Sequence, residues 1–281
     1  MQDHPAPGKS FKRFVSFGAL GFLCFHYSFS QINYTSVGAR SAGLSDASVA
    51  LNDSWSCFNN QAGLANVSNT TVGFSIENKY QLKELAQRNA YAVVPFHSGA
   101  LGLSLRYFGF SNYYDIKYGI GYGLKLSTWM SAGAQINLSQ NYIADGFGIS
   151  NSVSSEFGLL ITPFNHLRLG FHYSNPYGRI MQQEGNISIP EILRIGGTYN
   201  LSTQTNINLE WENWKGYNCA LKGGLEFPLW KEIFFRCGYS TGSDEYSFGI
   251  GYKKNKIIAD IAFTRHPVLG ITPQLSIAYE F

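Results

Sequence analysis

From about residue 70 to the end of the chain, apolar and polar positions alternate with a period of two. The clearest stretch is 114–127. Tyr114, Ile116, Tyr118, Ile120, Tyr122, Leu124 and Leu126 share one face, and Asp115, Lys117, Gly119, Gly121, Gly123, Lys125 and Ser127 share the other. Successive side chains of a β-strand point to opposite faces, so this run predicts a strand with one apolar and one small or polar face. The pattern recurs in Leu167, Leu169, Phe171 and Tyr173, in Phe248, Ile250 and Tyr252, and in Leu275, Ile277, Tyr279 and Phe281. It predicts fourteen strands, at 70–80, 88–96, 99–109, 113–127, 130–143, 151–162, 166–174, 190–201, 204–213, 217–228, 232–240, 244–254, 256–265 and 272–281. A length of roughly ten residues is what a tilted strand needs to cross hydrocarbon.

A soluble sandwich alternates too, but it buries its apolar face in a shared core and covers the other with Lys, Glu, Thr and Ser. Here the apolar face is rich in Tyr and Phe and the polar face is rich in Gly, which suits a lipid-facing wall around a polar lumen. The connections agree. Short turns at His97, Thr128, Phe164, Ser202, Trp230 and Lys254 alternate with longer ones at 81–87, 143–150, 176–189 and 266–271, as periplasmic turns alternate with external loops. The expected fold class is all-β, a transmembrane antiparallel β-barrel of about fourteen strands in a bacterial outer membrane.

Composition supports this. Of 281 residues 16% are aromatic, only 14% are charged and 30 are Gly, with no helix-length apolar run after residue 30. A net charge of +3, dispersed along the chain, offers no basic stripe for a nucleic acid. Lys9, Lys12 and Arg13 followed by the largely apolar 14–29, with Ser28 and Ser30 before Gln31, read as a signal peptide over 1–30. Cys57, Cys219 and Cys237 show no CxxC or Cys/His spacing, and a Cys219–Cys237 bridge would require neighbouring strands. His97, His166, His172 and His266 carry no context that marks a base or nucleophile, so neither catalysis nor a metal or cofactor is expected.

The inward phase carries Arg106, Arg168, Arg194, Lys222 and Arg236 together with Glu156, Glu210, Glu226, Asp260 and Glu280. Mixed signs suit a pairing network that holds a plug better than a selectivity ring of one sign. The segment 31–68, ahead of the barrel at 69–281, does not alternate. Its small residues Ala39, Ala42, Gly43, Ala47 and Ala50 suit a compact hatch in the lumen, with Asp46, Asn52 and Asp53 placed to cap it or to pair with lumen arginines. The glycines of the polar face either accommodate that plug or weaken the wall, and packing is the simpler role.

The runs Gly38-Ala39-Arg40-Ser41-Ala42-Gly43-Leu44, Asp46-Ala47-Ser48-Val49-Ala50 and Asn59-Asn60-Gln61-Ala62-Gly63-Leu64 resemble the N-terminal hatch of the FadL-like superfamily, its PorV/PorQ-type branch in particular. Gln61 stands where that family usually has proline. The resemblance implies a fourteen-stranded barrel with a hatch that includes Gly38, Arg40, Asn59, Asn60 and Gly63. Tyr279 and Phe281 look like a barrel-assembly signal, which implies the assembly machinery as a partner alongside outer-membrane lipid. Two roles follow from the resemblance: docking within type IX secretion, with translocon subunits as partners, or passive transport of a hydrophobic ligand. The external loop at 175–189 is short and polar, so the docking role is the expectation.

Overall fold

The computed structural model describes residues 36–144, 148–176, 190–217 and 219–281. The expected signal peptide and most of the loop at 176–189 lie outside the described residues. The fourteen strands are β1 (Thr71–Asn78), β2 (Ala86–Phe96), β3 (Gly99–Phe110), β4 (Tyr113–Lys125), β5 (Met130–Ile143), β6 (Gly148–Phe164), β7 (Leu167–Ser174), β8 (Ile192–Asn200), β9 (Asn206–Trp214), β10 (Ala220–Trp230), β11 (Ile233–Ser240), β12 (Glu245–Lys254), β13 (Ile257–His266) and β14 (Gly270–Glu280). Each pairs antiparallel with its sequence neighbours, and β1 closes on β14 with Thr71 opposite Glu280 and Glu77 opposite Gln274. Closure removes the sheet edges and so satisfies the strand backbone within hydrocarbon.

Boundaries move where local pairing extends a strand. β6 begins at Gly148, opposite Ile143, and β2 begins at Ala86, opposite Asn78. Two strand prolines fall where the ladder slips: Pro163 lies in the bulge between Ile161 and Phe164, and Pro228 borders the shift before Trp230, as suits a residue that cannot donate to a ladder. His97 and Asn255 take left-handed φ of 53° and 52° in two tight periplasmic turns. Cys237 faces Leu225 and Phe248, whereas Cys219 precedes β10, whose Lys222 lies opposite Ser240. The two thiols are therefore out of register and form no disulfide with each other.

The apolar phase faces outward. Phe74, Ile120, Ile136, Leu209, Ile250 and Leu275 are all exposed. Large exposed apolar side chains all round a closed barrel are what lipid contact requires, and the wall is of the outer-membrane type. Ile136 lies in the middle of β5 and is 61% exposed. Ile136→Arg should therefore destabilise the barrel by about 2–4 kcal/mol, measured by denaturant titration in lipid, whereas a change near zero would place residue 136 outside the hydrocarbon.

Candidate functional site

The hatch fills the lumen. Gly38 holds φ 102°, and a Cβ there would fall 2.8 Å from the Trp55 ring. It turns the chain into α1 (Ala39–Ala42), whose Ala39 and Ala42 pack on Ala262 of β13. A second single-turn helix, α2 (Ser56–Asn59), leads through Asn60, whose side chain accepts from Ala62 N, into the 3-10 segment Gln61–Asn66. Asn59 ties the hatch to itself, accepting from Val37 N at 2.8 Å and donating to Val37 O and Ser41 Oγ at 3.0 Å. Val37, Trp55, Cys57 and Leu64 bury an apolar side against Tyr91, Val93 and Ala100, and Val49, Ala50 and Ala62 cover Leu160. Burial there pushes the Cys57 thiol up.

Around the hatch the wall divides by height. At hatch level the inward positions are glycine on strand after strand. A Cβ at Gly123 or Gly224 would come within 2.7 Å of Leu64 Cβ or Leu44 Cβ, and one at Gly133 within 2.6 Å of Gln61 O. Gly158, Gly170 and Gly196 likewise stand against Asn60 and Val49. This glycine girdle lets the hatch backbone approach the wall backbone directly. Gly121 and Gly119 instead make room for Gln135 and Asn137.

Above the girdle, Glu156 joins Lys117 Nζ (2.6 Å), His172 Nε2 (3.2 Å), Asn137 Nδ2 (2.9 Å) and, from the hatch, Gln61 Nε2 (2.8 Å). Arg194 reaches Ser36 Oγ at 3.0 Å and also bonds His172 and the Asn59 carbonyl. Glu210 Oε2 accepts from the backbone of both Ser48 (2.8 Å) and Val49 (2.7 Å), while Lys222 pairs with Glu212 at 2.8 Å. Asp46, left-handed at φ 62°, stands beside this group, and burial pushes its carboxyl up to about 7 against the opposing pull of Lys222.

Below the girdle, Arg40 clamps Glu226 through Nε (3.0 Å) and Nη2 (2.7 Å) and meets Asp53 at 2.9 Å. Burial opposes charge on Arg40, but Glu226 and Asp53 outweigh it and hold the guanidinium above its ordinary range. Arg236 bridges Glu226 (2.5 Å) and Asp260 (2.7 Å). Arg168 donates to Ala50 O at 3.1 Å. Beneath these residues a cavity of about 880 Å³ opens towards the periplasm, lined by the underside of the hatch, including Asn52, and by the periplasmic turns. Its charged lining is Arg40, Arg168, Arg236 and Lys253 against Asp53, Glu226, Asp260 and Glu280.

The inward charges named from the sequence thus divide between tiers above and below the girdle rather than forming one network. Arg106 stacks over Phe58 at 5.9 Å, and Glu280 meets Lys253 at the periplasmic rim at 3.3 Å. Tyr279 and Phe281 pack edge to face at the periplasmic end of β14. Lys117, His172 and Glu212 join these tiers as further charged or titratable members. Phase alone places all three inward, since Glu212 is two residues from Glu210, Lys117 shares the face of Gly119 and His172 alternates with Phe171 and Tyr173, but it does not show which partners they meet.

No protein-family model matches the chain, and no curated protein matches it. Solved structures do. The toluene transporter TbuX of Ralstonia pickettii aligns with TM-score 0.71 at 10% identity, over 89% of this chain and 100% of that one. The toluene transporter TodX of Pseudomonas putida aligns with TM-score 0.67 at 10% identity, over 89% and 99%. A FadL homologue of Pseudomonas aeruginosa aligns with TM-score 0.64 at 13% identity, over 86% and 98%. At these identities the likeness is one of fold: this chain is built on the architecture of FadL-type outer-membrane channels.

Proposed function

We propose that the protein is a passive outer-membrane channel gated by its own hatch. One observation carries the reading: a discrete segment, joined to the wall by side-chain bonds and close packing rather than by strand pairing, closes the lumen above an open periplasmic cavity. A plug of that kind can shift without breaking the barrel. The shared architecture with channels named for toluene supports transport, and by that analogy the sequence-based alternative of a hydrophobic solute.

The second reading is the secretion-associated, PorV/PorQ-like docking role. Its support is the tightness of the plug, which is tied to the wall both above and below the girdle and would suit a permanently closed scaffold. Residues 177–189, most of the external loop whose shortness and polarity favour docking, lie outside the described residues. A disulfide lock separates the readings. Ser45 Oγ and Ser247 Oγ lie 2.7 Å apart across the hatch–wall boundary. For the channel, the Ser45→Cys/Ser247→Cys variant in planar bilayers should conduct when reduced and fall silent when oxidised. Silence of both reduced variant and native protein, with translocon subunits co-purifying, would replace the channel with the scaffold.

A further inference from the structure

The outward wall carries almost no charge. By phase, every carboxylate of the fourteen strands points into the lumen, and among strand residues only Arg88 on β2, Arg265 on β13 and Lys254 on β12 put a charge outward. Lys254 ends its strand at the periplasmic rim, where Glu232 meets it at 3.3 Å. The two arginines lie at the other end. Arg88 follows the external connection into β2 and stands opposite Ile76 and Tyr107, and Arg265 is the penultimate residue of β13, opposite Tyr246 and Ile271. Both are exposed, and among the described residues neither has a carboxylate partner. An outward arginine costs about 2–4 kcal/mol at the middle of a bilayer and roughly 0–1 near its surfaces. These two therefore belong to the headgroup level of the external leaflet.

A fan of tyrosines leads away from each arginine. The Arg88 guanidinium lies 5.7 Å from the Tyr107 ring, which stacks at 6.0 Å on Tyr114, and Tyr114 stacks at 5.0 Å on Tyr142. On the other side Tyr246, opposite Arg265, lies 4.9 Å from the Tyr239 ring. Only β1 and β14 separate the two clusters, which sets the arginines three strand spacings apart, about 14 Å around the wall. The opposite arc lacks such a centre. The outward positions of β6 to β10 hold no charge, and Lys215, just beyond β9, is paired with Glu191 at 2.6 Å. An aromatic belt that served only to seat the barrel in lipid would need no such one-sided charge.

A guanidinium takes two phosphate oxygens at once, and an aromatic face covers the carbon side of a sugar ring. Phosphate and sugar stand together at this level in the headgroup of lipopolysaccharide. We propose that the external rim centred on the β1–β14 seam is a binding surface for that headgroup, with Arg88 and Arg265 on its phosphates and the tyrosines against its sugars. The surface lies outside the lumen, so it goes beyond the channel reading and is independent of whether the hatch moves. A phospholipid headgroup would satisfy the arginines and leave the rings unused.

The test uses the full barrel in detergent, titrated with purified lipid A or with phosphatidylglycerol, with bound lipid identified by native mass spectrometry. Native protein should bind lipid A more tightly than phosphatidylglycerol. Arg88→Gln/Arg265→Gln should lose about tenfold or more in lipid A affinity, and Tyr107→Leu/Tyr114→Leu several-fold, with heat-modifiability unchanged in both. Phosphatidylglycerol binding should respond to the arginines and not to the tyrosines. Unchanged lipid A affinity in the arginine variant overturns the site. Phosphatidylglycerol bound as tightly as lipid A overturns headgroup recognition, because charge alone would then suffice. A protein that co-purifies with the native barrel and is lost from the arginine variant, while lipid A affinity is retained, overturns it in favour of a protein interface.

Discussion

Gly133→Val should open the barrel. The new Cβ would lie within 2.6 Å of the Gln61 carbonyl oxygen, and the obstruction is hatch backbone, which cannot swing aside as a side-chain tip can. Overpacking a close-fitted site costs about 3 kcal/mol when a neighbour must move. The wall is held by strand pairing on both sides of β5, with Gly133 opposite Gly123 and Gly158, so the strain is relieved by displacing the hatch. The expected phenotype is an intact, heat-modifiable barrel with raised bilayer conductance and cells sensitised to antibiotics that the outer membrane normally excludes. Gly216→Val is the control, since no heavy atom lies within 4 Å of a Cβ built there, although its φ of 85° adds a small backbone strain in an external loop. An unchanged conductance in Gly133→Val would mean that the hatch is not seated against this strand.

The second large effect is expected at Glu210. Its Oε2 accepts from two consecutive backbone N–H groups, Ser48 and Val49, at 2.8 and 2.7 Å, and its Oε1 lies 3.7 Å from Lys222 Nζ. Glu210→Ala would leave both buried donors unpaired at about 1–3 kcal/mol each. Lys222 would keep Glu212 at 2.8 Å, so its charge stays compensated. The sum, about 2–6 kcal/mol, should release the central hatch turn without unfolding the barrel. Hydrogen exchange at residues 44–52 should quicken by two to three orders of magnitude while exchange in β9 and β10 is retained. Glu210→Gln, which keeps an acceptor but loses the charge, should fall between the two. Equal loss in both variants would show that charge, and not the paired acceptance, holds the turn.

Much of this architecture was legible before any coordinates. A period of two is a local property of the chain, written by the side-chain geometry of a strand and by the solvent on each face, so strand number, phase and the outward Tyr, Ile and Leu of 114–127 could be read residue by residue. The alternation stops before residue 69, and the small residues of 38–50 marked a segment that had to sit somewhere narrow. The turns at His97 and Asn255 fell where expected for the same local reason.

Height and partnership were not local. Phase says that Glu210, Glu226 and Lys222 face the lumen, but it does not say which lies above the hatch and which below, because that depends on strand stagger around the closed barrel. Arg40 and Glu226 are 186 residues apart in the chain. Phase turns His172 inward, but its role is visible only when Glu156 and Arg194 are brought against it. Strand by strand the inward glycines are legible only as room for a plug, and the folded hatch, pressed against Gly123, Gly133, Gly158, Gly170 and Gly224, shows that they lie at one level. The chain by itself determined a lipid-facing wall with a polar interior, since each strand reports its own two faces. Only the tertiary structure decided how that interior is divided, since the division is set by contacts across the lumen between residues that share no local sequence.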